Sequence, residues 1–155
     1  MKIAVYYNLS YGGAKRAVQA HVKGLKNMQH HVDVYTQDKN RDEFSPGIFA
    51  DTEYLYKYVP KKIRLPIISR ILDDLQVFFK LKNLHKKIAL DIDARGYDIV
   101  IVHTDTFTQA PFILRFLKTK NVYFCLEPLR IVYEYSLKTA NFLGLFNKFY
   151  ESINR

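Results

Sequence analysis

The residues best suited to chemistry fall in three places. Gly12 and Gly13 stand in "YYNLSYGGAKRA", between an apolar run and a helical pattern. A helix start leaves backbone N–H groups unpaired and partly positive, and glycines ahead of it let an anion approach the backbone closely. Lys15 and Arg16 follow in the first turn, where cations disfavour the helix slightly but help to hold a phosphate. The same four residues also suit a plain turn with two solvated cations. The spacing is neither GxGxxG nor the GK[ST] ending of a phosphate-binding loop, so the dinucleotide and P-loop readings drop. The second place is His103, closing an apolar run and followed by Thr104, Asp105, Thr106 and Thr108. An imidazole there can bond a hydroxyl or move a proton near neutral pH, or simply serve as a structural histidine. The third is "LEPLRIVYE", where Glu127 can accept bonds from substrate hydroxyls or pair with Arg130. His30, His31 and His85 lack ligand-like company in the sequence, so no metal site is expected.

Alternating strand and helix patterns must position these groups. "KIAVYY" (2–7) reads as a β-branched and aromatic strand, and 13–28 repeats Ala14, Ala17, Val18, Val22, Leu25 and Met28 at helical spacing. "HVDVYT" (31–36) and "TEYLYKYV" (52–59) read as strands two and three. A long amphipathic helix begins near Pro66 and carries Ile68, Leu72, Leu75, Phe79, Leu81, Leu84 and Ile88. "YDIVIVH" (97–103) lacks polar alternation, as expected of a parallel strand buried on both faces. A helix over 108–118 with its proline in the first turn, a strand over 121–128 and an apolar-rich helix over 136–153 complete the order. The fold class is therefore α/β, a Rossmann-like parallel sheet with helices on both faces. Ligands of such sheets bind beyond the carboxyl ends of the strands, which selects the loops at 8–13, 103–108 and 126–134.

A chain of 155 residues with 48% hydrophobic content builds one core and not comfortably two. Cys125 is the single cysteine, which excludes an internal disulfide and fits a reducing compartment. The amino terminus lacks the apolar region and cleavage site of a secretory signal, and no stretch approaches the roughly 18 to 20 apolar residues of a membrane span. Of the net charge of +9, seven units come from 57–87, where Lys57, Lys61, Lys62, Arg64, Arg70, Lys80, Lys82, Lys86 and Lys87 face only Asp73 and Asp74. Such a stripe is a solvated helix face or meets an anionic surface, nucleic acid or acidic lipid. Tyr54, Tyr56 and Tyr58 interleave with the cations as stacking faces would in a nucleic-acid-binding module, though their shared strand face reads more readily as sheet packing. A receiver-like domain needs acidic residues after the first strand, where this chain has Tyr7 and Asn8.

"MKIAVYYNLSYGGAKRAVQAHVKGL", "YDIVIVHTDTFTQAPFILRFL" and "VYFCLEPLRIVYE" together resemble the amino-terminal domain of GT-B glycosyltransferases of the retaining family 4 type, in the same order over nearly the whole chain. The resemblance implies that Gly12 and Gly13 lie against a donor diphosphate or bound acceptor and that His103 faces the interdomain cleft as the catalytic histidine. Lys15, Arg16, Thr104, Asp105, Glu127 and Arg130 are substrate-binding candidates from their own places in the three loops. The third loop departs from the commoner pattern, in which a histidine often stands near Glu127. The resemblance also implies a nucleotide-sugar co-substrate, no metal, and a glycan or lipid-linked acceptor. Members carry a second Rossmann-like domain with a closely spaced glutamate pair, which Glu134 and Glu151 cannot supply. Residues 1–155 are therefore expected to be the single acceptor-side domain of a longer enzyme and to transfer no sugar alone. Enzymes of this kind acting on lipid-linked acceptors work at an anionic bilayer, where each cation gains roughly 1 kcal/mol. Lys61, Lys62, Arg64, Arg70, Lys80, Lys82, Lys86 and Lys87 are accordingly expected to make the chain peripheral at the inner, cytoplasmic face of a membrane.

Overall fold

A computed structural model describes residues 1–37, 41–58 and 77–126. The first strand, β1 (Lys2–Asn8), is buried from Ile3 to Asn8 because it lies at the centre of the sheet. Helix α1 (Gly13–Asn27) follows, then β2 (His31–Thr36), a short 3-10 turn at Pro46–Ile48, and β3 (Thr52–Leu55). A π-helical turn at Val77–Leu81 runs into helix α2 (Lys82–Ala94). Strand β4 (Ile99–Asp105), a 3-10 turn at Phe112–Arg115 and β5 (Asn121–Phe124) complete the described elements. All four strand pairings are parallel, in the order β3-β2-β1-β4-β5. This is a Rossmann-like α/β sheet, with its switch point between β1 and β4.

Alternation along the strands divides the core. Ile3, Val5, Tyr7, Val32 and Val34 pack with Val18 and Val22 of α1 on one face. Ala4, Tyr6, Tyr35, Val100 and Val102 pack with Ile88, Ala89 and Ile92 of α2 and with Ile113 on the other. Tyr54 and Tyr56 stack beside Tyr35 at ring-centroid distances of 4.8 Å and 6.2 Å, so these tyrosines do act as sheet packing. On the same face the Tyr97 hydroxyl donates to Asp33 Oδ2 at 2.6 Å, giving the buried carboxylate a partner.

Several boundaries differ from the pattern reading. Strand β3 ends at Leu55 rather than at 59, β5 ends at Phe124, and β4 runs two residues beyond His103. The helix expected over 108–118 is a single 3-10 turn. Gln109 has φ 52 and exchanges backbone bonds with Asp105, and Pro111 is extended, so helical geometry cannot begin before Phe112. The expected helix near Pro66 is described only from Val77, and the one over 136–153 lies outside the described residues.

Helix α1 closes with Gln29 at φ 61, the His30 amide bonding Leu25 O and the Gln29 amide bonding Lys26 O. Glycine is the usual residue at that left-handed position. Gln29→Gly is expected to stabilise the chain by about 0.5–1 kcal/mol, read as a raised urea midpoint with unchanged slope.

Candidate functional site

The carboxyl edge at the β1/β4 switch point is built from the turn after β1, the segment after β2 and the turn after β4. Gly12 caps α1 with φ 154 and ψ −174, a region open essentially to glycine alone. Among the described residues nothing lies within 4 Å of a Cβ placed on Gly12 or Gly13, so they leave the helix start open above its backbone. The backbone therefore requires glycine at position 12 and not at position 13. Gly12→Ala is expected to cost about 1–2 kcal/mol through backbone strain alone. Gly13→Ala, with ordinary φ and free space, is expected to stay within about 0.5 kcal/mol of the parent in the same denaturation experiment.

The two cations of the first turn have separate partners. Lys15 is fully buried, and its Nζ lies 2.8 Å from Asp42 Oδ2, where the ammonium holds the carboxyl below its usual range. Arg16 is exposed, and its guanidinium sits 4.3 Å over the Phe44 ring, against which Tyr11 also packs at 5.2 Å. Gln19 Nε2 donates to Glu43 O at 2.6 Å. The 41–45 segment is thereby folded onto the first turns of α1, and Arg16 is the exposed cation of that pair.

On the other side of the switch point, β4 carries one residue more than β1. Tyr6 pairs Val102, while Asn8 pairs Asp105. Such a bulge re-aims the residues beyond it. His103 keeps the α1 side, stacked on His21 at 5.3 Å and tilted against Phe124 at 5.6 Å. Its exposure is 0%, and neither ring nitrogen has a hydrogen-bond partner among the described residues. Burial first, and His21 second, push its pKa down to about 4. Asp105, two residues on, is turned to the α2 side. Its Oδ2 accepts from the Tyr6 hydroxyl at 2.9 Å and from Asn8 Nδ2 at 2.9 Å, and lies 3.5 Å from His85 Nε2. Burial alone would raise the Asp105 carboxyl, but the His85 imidazole, Asn8 and the Phe107 amide outweigh it and hold it below the usual range. Burial and the Asp105 carboxylate push the Tyr6 phenol well up.

Sequence reasoning placed His103 at the strand end and Thr104 and Asp105 in a loop open to ligand. All three belong to β4 and are buried, and the loop begins at Thr106, whose amide and hydroxyl both donate to Asn8 O, at 2.8 Å and 2.7 Å. His85, which in the sequence lacked company, is bonded to Tyr6 and Gln37. No group of three or more metal-ligating side chains occurs among the described residues. Tyr6, Gln37 and His85 were not anticipated as members of the edge, whereas Asn8 opens the first of the loops selected there. Only Asn8, a polar residue closing an apolar strand, gave a sequence signal. Lys80, Lys86 and Lys87 are exposed along α2 and the turn before it, with Phe79 and Leu90, while Lys82 Nζ lies 5.1 Å over the Phe78 ring. Lys61, Lys62, Arg64, Arg70, Glu127 and Arg130 lie outside the described residues. No helix among the described residues is long and apolar enough to cross a membrane. No protein-family model matches the chain, and no curated protein matches it with significance.

Proposed function

We propose that this chain is the acceptor-side domain of a GT-B, family 4-like retaining glycosyltransferase, which moves a sugar from a nucleotide-sugar to a glycan or lipid-linked acceptor. The observation that carries the reading is the start of α1 at the switch point, with Gly12 in a glycine-only conformation and none of the described residues above either glycine. An anionic group seated there meets the amides of the helix start, with Arg16 the exposed cation of the turn. In this reading His103, fully buried, supports the edge from beneath. A second domain supplies most of the donor site. The exposed Lys80, Lys86 and Lys87, with Phe79 and Leu90, give a basic and apolar surface suited to an anionic bilayer.

Titration of the isotope-labelled chain with a nucleotide-sugar, with a single-stranded oligonucleotide and with anionic vesicles tests the reading. Nucleotide-sugar is expected to shift the Gly12, Gly13 and Arg16 amides without turnover, and vesicle binding is expected to weaken with salt and with less acidic lipid. An oligonucleotide that perturbs the glycine turn more strongly than nucleotide-sugar would replace this reading with that of a nucleic-acid-binding module.

A further inference from the structure

Beneath the rim lies a buried polar cluster for which the proposed crevice has no direct use. The Tyr6 hydroxyl lies 2.7 Å from His85 Nε2, 2.8 Å from Gln37 Nε2 and 2.9 Å from Asp105 Oδ2. Tyr6 and His85 are fully buried, and Asp105 and Gln37 nearly so. Four elements meet here: β1, the end of β2, the end of β4 and, through His85, helix α2. Asp105 has a second task. Its Oδ1 accepts from the Phe107 amide at 2.8 Å and the Thr108 amide at 3.3 Å, which closes the turn that leaves β4.

We propose that Tyr6 and His85 are positioning residues that hold Asp105 so that its free oxygen fixes the 106–109 turn against Asn8, thereby setting the crevice wall opposite the glycine turn. Three points support it. The bulge in β4 is what brings Asp105 onto the Tyr6 face, so strand geometry has been altered to make this junction. The imidazole is held by Nε2 alone, its Nδ1 lacking a partner among the described residues, so the cluster carries a burial penalty that an apolar ring of equal size would avoid. Finally, both oxygens of one carboxylate are divided between core and turn, so a change at His85 has a route of successive hydrogen bonds to Phe107. The crevice's role as a substrate site rests on the function proposed above, whereas the positioning itself does not.

Amide hydrogen exchange of the full chain, without ligand, tests the inference independently of sugar or nucleotide binding. Tyr6→Phe keeps the ring and His85→Phe replaces it with a somewhat larger aromatic one, and both remove the bonding atoms. Both are expected to speed exchange at Phe107 and Thr108 at least tenfold while Val5, Val34 and Val102 keep their protection. His85→Gln, whose amide reaches the Nε2 position, is expected to restore most of it. Unchanged exchange at the turn in the Phe variants overturns the inference, as does equal acceleration at turn and strands, which signals general destabilisation. Failure of Gln to restore protection assigns the effect to ring shape and also overturns it. Tyr6→Phe, which deletes a single oxygen, keeps the test open if His85→Phe does not fold.

Discussion

Leucine in place of His103 is expected to raise the unfolding free energy by about 1–3 kcal/mol, the reverse of what removal of a working polar core residue does. The imidazole is wholly buried between His21 and Phe124, and both its nitrogens have lost water without gaining a partner among the described residues. Removing a buried group in that state returns its desolvation penalty. Urea unfolding at neutral pH should show a higher midpoint with an unchanged slope. A less stable leucine variant would mean that His103 has a polar partner that the described residues do not provide.

The same residue sets a pH dependence. The folded chain holds His103 near pKa 4, against about 6.5 in an unfolded chain, so the unfolded state binds the extra proton between those values. Stability is therefore full above about pH 6.5 and falls as the pH drops towards 4, by roughly 3 kcal/mol. The carboxyls of Asp42, Asp51, Asp91, Asp93 and Asp105, all held below the usual value, act in a lower window. Their contribution is present above about pH 3.8 and is lost only as the pH falls through their folded values. In the His103→Leu variant the slope between pH 6.5 and 4 should flatten. A slope identical to the parent's would assign it to other groups.

The parallel sheet was legible because its strands are short, β-branched and bounded by turn residues, and because 99–102 is uninterruptedly apolar. The glycine turn was legible for the same reason: Gly12 and Gly13 sit where strand periodicity gives way to helix periodicity. The far side of the switch point was not. A bulge leaves no mark in the alternation of Val102, His103, Thr104 and Asp105, so His103 read as the polar end of the strand and Asp105 as a loop residue. His85 was missed because helical spacing says only that it shares a face with Ile88 and Ile92, not that a tyrosine from a different strand will meet it there. Residues 108–118 read as a helix because Pro111 suits a first turn, but the Asp105–Gln109 closure used up the residues with which that helix would begin.

Alanine at Asp105 is expected to cost about 3–5 kcal/mol, a large share of the stability of a domain this size. The change would leave the Tyr6 hydroxyl, Asn8 Nδ2 and the Phe107 and Thr108 amides without the acceptor they now share. Tyr6 retains other polar contacts, in Gln37 and His85, but Asn8 and the two amides would have to find water at a site that is almost closed. Asn in the same place keeps one carbonyl oxygen and the side-chain volume, so Asp105→Asn should cost less, about 1–3 kcal/mol. Denaturant midpoints for the two variants and for His103→Leu check the argument together. Two neighbouring buried residues of β4, aimed at opposite faces by one extra residue, should respond to loss of their polar atoms with opposite signs. If Asp105→Ala unfolds within 1 kcal/mol of the parent, the carboxylate is not the junction of β1, β4 and the turn.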